Sequence, residues 1–337
     1  MTRDRDRVVI ATRGSRLALA QAEAVAAELR QHWPGLAVEL STIRTQGDVD
    51  LDSPVTGIGK GAFVNEVRQA LLDGAADLAV HSYKDLPTDP APGLIVAAVP
   101  MRADPRDVMV SRYHRPFTYL PEGAKIGTGS QRRAAQILRR RGDVCVLPIR
   151  GNVDTRLAKL AAGEFDAIVL AAAGLDRLGR RDEISEYFDT DTMIPAPGQG
   201  ALALEARASD ADTARLVAPL HDESSAYAVL AERTCLDRLG GGCNTPIGIF
   251  AITDGETMFI HGIVATQDGT RAARLRWTGP WRQAEYVGET LSELLLAAGA
   301  GEILSGTPIP PTTRYALRRR RELEEDDWDE PYPSRED

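Results

Sequence analysis

Strand-like and helix-like stretches alternate twice along this chain, and a crossover rich in proline or glycine follows each pass. Val8-Val9-Ile10-Ala11-Thr12 is a short β-prone run. Beyond Arg13-Gly14, Ser15 can cap a helix, and Ala18, Ala22, Val25 and Leu29 follow at helical spacing. Val38 to Ile43 reads as the next strand, 62–72 as a helix and Asp77-Leu78-Ala79-Val80 as a strand. That is the βαβ order of a parallel, doubly wound sheet. Pro100-Met101-Arg102-Ala103-Asp104-Pro105 then leads into a second unit. There a strand ends at Lys125-Ile126-Gly127-Thr128, and helices over 131–141 and 153–161 alternate with strands over 144–149 and 167–170. Pro195-Ala196-Pro197-Gly198-Gln199-Gly200 is the second crossover. Two crossovers between like units predict a bilobal molecule with a cleft and a hinge.

The chain has 337 residues, too many for one ordinary core. From about Ser224 the alternation gives way to a helix through Ala231 and a glycine-rich loop. Two runs follow, Thr257 to Ala265 and Arg271 to Trp277, separated by the hairpin signal Asp268-Gly269, and then a helix over 284–298. The expected division is a first α/β lobe from 1–101 and 198–220, a second from 102–197, and a small α+β domain over 221–304. The tail, 305–337, carries Pro308-Ile309-Pro310-Pro311, the run Arg318 to Arg321 and a mostly acidic stretch from Glu322 to Asp329. Such charge blocks are expected to be solvated and without a chemical role.

The net charge of −9 argues against nucleic acid or an anionic membrane as partner. Met1 to Arg7 is charged and lacks a signal-peptide core, and no apolar run approaches the length of a membrane span. A cytoplasmic monomer is the expectation. Three cysteines, Cys145, Cys235 and Cys243, with no Cys-x-x-Cys and five scattered histidines, argue against a disulfide framework and a metal site.

Against that acidic background, Arg13, Arg132, Arg133, Arg150, Arg156 and Arg177 stand at strand ends or helix starts. Ligands of open α/β sheets bind outside the carboxyl ends of the strands, where helix N-termini already favour anions. Guanidinium forks there make a polyanion site, with Ser15, Thr128 and Ser130 as neutral donors in the same turns. A single arginine of this kind more often pairs on the surface to little effect; six at matching positions favour a ligand with several carboxylates or phosphates. After the strand at 77–80, Lys84 and Asp85 would reach the cleft mouth. A carboxylate among so many cations stays ionised and can steady a developing positive charge; otherwise it belongs to a solvated Lys-Asp turn. Cys243 ends the run Gly240-Gly241-Gly242, a flexible loop that Pro246 stiffens at its exit. It is either a presented thiol or an inert small hydrophobe.

Taken together, these motifs resemble the porphobilinogen deaminase (hydroxymethylbilane synthase) family. The resemblance rests on Arg13-Gly14-Ser15 with Leu17-Ala18-Leu19-Ala20-Gln21, Ala79-Val80-His81-Ser82-Tyr83-Lys84-Asp85-Leu86-Pro87, Asp104-Pro105-Arg106-Asp107 and Gly127-Thr128-Gly129-Ser130-Gln131-Arg132-Arg133. It continues through Arg150-Gly151-Asn152-Val153-Asp154-Thr155-Arg156-Leu157, Ala173-Gly174-Leu175 with Arg177-Leu178-Gly179, Pro197-Gly198-Gln199-Gly200 and the Gly-Gly-Gly-Cys243 loop, in order from about Val8 to about Leu304. It implies two α/β lobes resembling type II periplasmic binding proteins, with a small α+β C-terminal domain. It further implies a transferase that condenses four porphobilinogen units into hydroxymethylbilane, releasing ammonia from each. The family's primer is a dipyrromethane cofactor held through a cysteine thioether, and Cys243 occupies that position; Cys145 and Cys235 read as structural. By the same motifs Asp85 is catalytic. Lys84, Thr128, Ser130, Arg132, Arg133 and Arg150 bind cofactor, and Arg13, Ser15, Gln21, Arg156, Arg177 and Gln199 bind substrate. The chain departs from the family pattern at Gly129, where relatives often carry serine, at Gln46, where arginine is common, and in a shortened Thr56 to Phe63 loop.

An alternative reading is a non-enzymatic bilobal polyanion-binding protein, since fold alone does not separate the two. A third domain and a cysteine loop are more than simple binding needs. A nucleic-acid binder, resting on Arg139-Arg140-Arg141 and Arg318 to Arg321, lacks an aromatic platform.

Overall fold

Three sheets organise residues 6–45, 64–242 and 245–306, which the structure, a computed structural model, describes. The expected loop from Gln46 to Gly61, the Thr56 to Phe63 segment and the tail beyond 306 lie outside these residues.

The first sheet is built from β1 (Arg7–Arg13), β2 (Ala37–Ile43), β3 (Leu78–Ser82), β4 (Leu94–Ala98) and, far along the chain, β10 (Leu202–Arg207), in the order β2-β1-β3-β10-β4. Helix α1 (Arg16–His32) starts where the sequence predicts, because Ser15 Oγ accepts from Ala18 N at 3.2 Å. Its Ala22, Val25, Ala26 and Leu29 pack on one face of the sheet, against Ile10, Leu78 and Leu204. Helix α2 (Asn65–Leu72) covers the other face with Val67 and Leu71.

The second sheet has the order β7-β6-β8-β5-β9, from β5 (Asp107–Ser111), β6 (Lys125–Gly127), β7 (Cys145–Leu147), β8 (Ala167–Ala171) and β9 (Glu186–Tyr187). Helix α3 (Gln131–Arg140) lies on one face, and α4 (Val153–Ala161) and α5 (Ala172–Arg177) lie on the other. Apolar layers on both faces account for the nearly continuous Val/Ile/Ala/Leu strands.

Both sheets are mixed, where the alternation predicts parallel ones. β10 is antiparallel to β3 and β4, and β5 is antiparallel to β8 and β9. The hinge explains this. The chain returns to the first lobe at the cleft edge, so Leu202, the first residue of β10, pairs with Ser82, the last of β3. It enters the second lobe the same way, with Asp107 opposite Ala171. The crossovers meet closely at Gly200, whose φ is +87° and whose added Cβ would lie 2.4 Å from Ala103 O; no L side chain fits there.

After α6 (Ala211–Val217), the C-terminal domain packs α7 (Glu223–Arg238), α8 (Ala284–Ala297) and α9 (Ala300–Ser305) on an antiparallel sheet of β11 (Ile247–Asp254), β12 (Thr257–Ala265) and β13 (Ala272–Pro280). The hairpin at Asp268-Gly269 is as expected; β11 was hidden by the glycine loop before it.

Glu232 of α7, fully buried, fastens both crossovers. It accepts from Gly198 N at 2.7 Å, from Ala251 N at 2.8 Å and from the Arg102 fork at 2.6 and 3.2 Å. Truncation to Ala leaves the Arg102 cation without this counter-charge, although its Nε still donates to Gln199 O at 2.8 Å, and leaves two buried backbone N–H groups without this acceptor. Glu232→Ala should therefore lower folding stability by roughly 3 kcal/mol or more, read as an earlier guanidinium midpoint, and an unchanged midpoint would refute this role.

Candidate active site

In the first lobe, β1 and β3 end at one edge, which brings together Arg13, Ser15, Ser82, Lys84 and Asp85. Arg13, Gln21, His81, Ser82 and Asp85 line one pocket there. The Gln21 amide is buried and donates to Ser82 Oγ at 2.9 Å. Below it, His81 Nε2 stands 3.1 Å from Glu205 Oε2, and Arg68 forks the same carboxylate at 2.7 and 2.9 Å. Burial would raise the Glu205 carboxyl, but His81 and Arg68 outweigh it and bring it down to about 2. No motif or spacing in the sequence points to this buried triad.

Lys84 and Asp85 sit in one 3-10 turn, Tyr83–Asp85. Tyr83 N donates to Ala201 O at 3.0 Å. The Arg233 guanidinium lies 4.8 Å over the Tyr83 ring and donates to Leu86 O at 2.9 Å and Pro87 O at 2.5 Å. A residue of the C-terminal domain thus holds the turn, leaving the Asp85 side chain exposed.

The second lobe presents the carboxyl ends of β6, β7 and β8. Thr128 and Ser130 follow β6. Thr128 Oγ1 accepts from Ser130 N at 3.1 Å, and Ser130 Oγ caps α3 through Arg133 N at 3.4 Å; each hydroxyl keeps a proton to donate. Arg150 follows β7. Arg156 on α4 donates through Nε to Gly151 O at 2.8 Å, and Arg177 on α5 donates to Gly200 O at 2.9 Å.

Beneath these residues is a buried cluster centred on Asp107. Arg132 donates to it at 2.5 and 3.2 Å, Arg133 Nε at 2.8 Å and Gln199 Nε2 at 2.9 Å. Burial opposes ionisation of Asp107, but Arg132 and Arg133 outweigh it and hold the carboxyl well below its usual range. Gln199 Oε1 accepts from Lys84 Nζ at 3.3 Å and from Arg133 at 3.4 Å, so this one amide joins the two lobes. Arg132 also donates to Ile194 O at 2.8 Å. Its fork is committed inward, where the sequence suggested a fork open to ligand. In the sequence Asp107 stands out only as the last residue of the Asp104-Pro105-Arg106-Asp107 motif.

The cations crowd one another. Burial, then Arg133, pushes the Lys84 ammonium down to about 8, with Asp85 and Asp107 opposing. Burial, then Arg133 and Arg150, pushes Arg156 down to about 10, with Asp85 opposing. Both remain charged at neutral pH. Asp85 of the first lobe therefore acts on Arg156 of the second, across the cleft. Positive charge in excess of local carboxylate is what a polycarboxylate ligand relieves.

A family model described as "Porphobilinogen deaminase, dipyromethane cofactor binding domain" matches residues 8–215, and one described as "Porphobilinogen deaminase, C-terminal domain" matches residues 226–297. The chain belongs to the porphobilinogen deaminase family. The porphobilinogen deaminase of Syntrophotalea carbinolica is 50% identical over 304 residues, spanning 90% of this chain and 96% of the relative. Those of Syntrophobacter fumaroxidans and Roseiflexus castenholzii are 47% and 45% identical, spanning 89% and 90% of this chain and 97% and 100% of their own. A solved structure, the BvgS periplasmic VFT2 domain of Bordetella pertussis, aligns at a TM-score of 0.38 and 17% identity, covering 64% of this chain and 86% of that domain. At that distance it carries no weight, and the fold rests on the strand order above.

Of the cysteines relevant to a porphobilinogen deaminase cofactor, Cys243 lies outside the described residues, as does Asn244. Their neighbours are tied together, with Thr245 N donating to Gly242 O at 3.0 Å. Cys235 is buried, as expected, and burial raises its thiol. Cys145, read as structural, is exposed, because it opens the edge strand β7. Among the described residues, no group of three or more His, Cys, Asp or Glu side chains could hold a metal, and no helix is long and apolar enough to cross a membrane.

Proposed function

We propose that this protein condenses four porphobilinogen units into hydroxymethylbilane, as a cytoplasmic monomer, on a dipyrromethane primer linked through Cys243 as a thioether. The observation that carries the proposal is the two-sided cationic cleft, Lys84 and Arg13 facing Arg133, Arg150 and Arg156 around a single exposed carboxylate, Asp85. The acetate and propionate groups of pyrrole units suit such a donor set. The lobes are read as 1–101 with 198–220 and as 102–197, with 221–304 carrying the cysteine.

When bound, the dipyrromethane supplies the terminal pyrrole to which the first unit is joined. The chain's own groups do the rest. Lys84, Arg133, Arg150, Thr128 and Ser130 hold cofactor carboxylates, while Arg132 acts from beneath by fixing Asp107 and hence Arg133. Arg13, Ser15, Arg156 and Arg177 take carboxylates of the incoming unit, and Gln21 and Gln199 set the walls. Asp85 accepts hydrogen bonds from pyrrole N–H groups and offsets positive charge as the carbon–nitrogen bond of the incoming unit breaks and ammonia departs.

Mixing the purified protein with porphobilinogen and following intact mass tests this reading. Mass should rise in single-pyrrole steps, with one ammonia released per step. Binding without ammonia release would favour the non-enzymatic polyanion carrier.

A further inference from the structure

A second cavity, of about 380 Å³, opens where the second lobe meets the C-terminal domain. Gln136, Arg139 and Arg140 of α3, Asp191 from the connection between β9 and β10, Ile263 of β12 and Arg274 of β13 line it. None of them belongs to the cleft.

The cavity concentrates positive charge in an acidic chain. Among the described residues lining it, Arg139, Arg140, Arg274 and the adjacent Arg276 stand against one carboxylate, Asp191, which lies 2.9 Å from Arg276 Nη2 and 3.2 Å from His261 Nδ1, and Arg274 also donates to the Asp191 main-chain oxygen. Burial keeps the fully enclosed His261 below its ordinary pKa despite Asp191. Burial, and next Arg276, Arg139 and Arg140, pushes Arg274 down to about 10 in spite of Asp191.

Arginines in the last turn of α3 also offset its helix dipole, but that does not account for Arg274, which comes from another domain. The β12–β13 hairpin brings it there. The turn at Gly269 touches α3 so closely that an added Cβ would lie 2.5 Å from Ala135 O and 2.7 Å from Arg139 N. Beside it, Ala135, Ile194, Phe250, Ile263 and Ala265 form a shared apolar cluster. The fold therefore fixes cations from two domains around one space, where like charges repel unless something compensates them.

We propose that this cavity is an anion-binding site, separate from the cleft, for a small molecule bearing phosphate or carboxylate groups. Its volume falls in the range of small-molecule pockets, roughly 300–1,000 Å³, and guanidinium forks match both kinds of oxyanion. An occupant would bridge α3 and β13 and so join the second lobe to the C-terminal domain.

The test is titration calorimetry on the holoenzyme at low salt, with inorganic pyrophosphate and citrate as probes. Wild-type protein should bind at least one of them. Tighter pyrophosphate binding assigns a phosphate ligand, and tighter citrate binding a polycarboxylate. Arg139→Gln with Arg140→Gln, both exposed, should weaken binding by about tenfold or more, the loss of charge-assisted contacts. Arg274→Gln should do the same, and Arg156→Gln in the cleft should leave it intact. Porphobilinogen consumption by the Arg139→Gln/Arg140→Gln protein should stay at the wild-type level, so this site and the cleft reading fail separately. No binding by wild-type protein, or binding lost in Arg156→Gln and kept in Arg139→Gln/Arg140→Gln, would overturn the proposal.

Discussion

Asp85→Asn should slow condensation by about 100-fold or more while cofactor and porphobilinogen stay bound. Binding survives because cations from both lobes, not Asp85, hold the ligand carboxylates. The 3-10 turn should also survive, since its anchors are Tyr83 N on Ala201 O and the Arg233 contacts to Leu86 and Pro87. What disappears is one preorganised negative charge facing Arg156 across the cleft, and removing a single such contact costs about 10²–10³ in rate. Asp85→Glu keeps the charge with shifted geometry and should be milder. Single-turnover mixing with porphobilinogen, following enzyme-bound species by mass, separates binding from chemistry. If Asp85→Asn elongates as fast as the parent, the charge that assists the reaction belongs to another group, and Lys84 is the next to examine.

Local patterns were legible where one residue type decides the outcome. Ser15 caps α1, and Asp268-Gly269 turns the hairpin. The arginines fall at strand ends because an open α/β sheet has few places for ligand-facing residues. What stayed hidden depends on contacts distant in sequence. The antiparallel strands β5 and β10 follow from hinge geometry, which no period within one strand reports. Asp107, Glu205 and Glu232 are ordinary acidic residues until the fold seals them against Arg132, Arg68 and Arg102. Arg132 shows the limit most clearly. Its position in the motif suggests a fork open to ligand, yet the buried Asp107 turns it into support for Arg133.

Cys243→Ser should give a folded protein with no covalent adduct and no turnover. Two cysteines compete for the assignment, and the structure weighs against both. Cys235 sits in the apolar core of the C-terminal domain, where burial raises the thiol and suppresses the nucleophilic thiolate. Cys145 is exposed, but it opens β7 at the end opposite to Arg150, away from the edge where the cations gather. Ser differs from Cys only in exchanging sulfur for a slightly smaller oxygen, and the tightly packed position of the preceding run is Gly241, where an added Cβ would lie 2.6 Å from Leu236 and Ile247; the substitution should leave the fold intact while removing the nucleophile. The protein should also melt at a lower temperature than the holoenzyme, because a ligand that joins the lobes stabilises the folded state it binds. Intact mass of Cys243→Ser should equal that of the bare polypeptide, whereas Cys145→Ser and Cys235→Ser should carry the same added mass as wild type. An adduct on Cys243→Ser, or its loss from Cys145→Ser, would move the attachment point and with it the direction from which the growing chain enters the cleft.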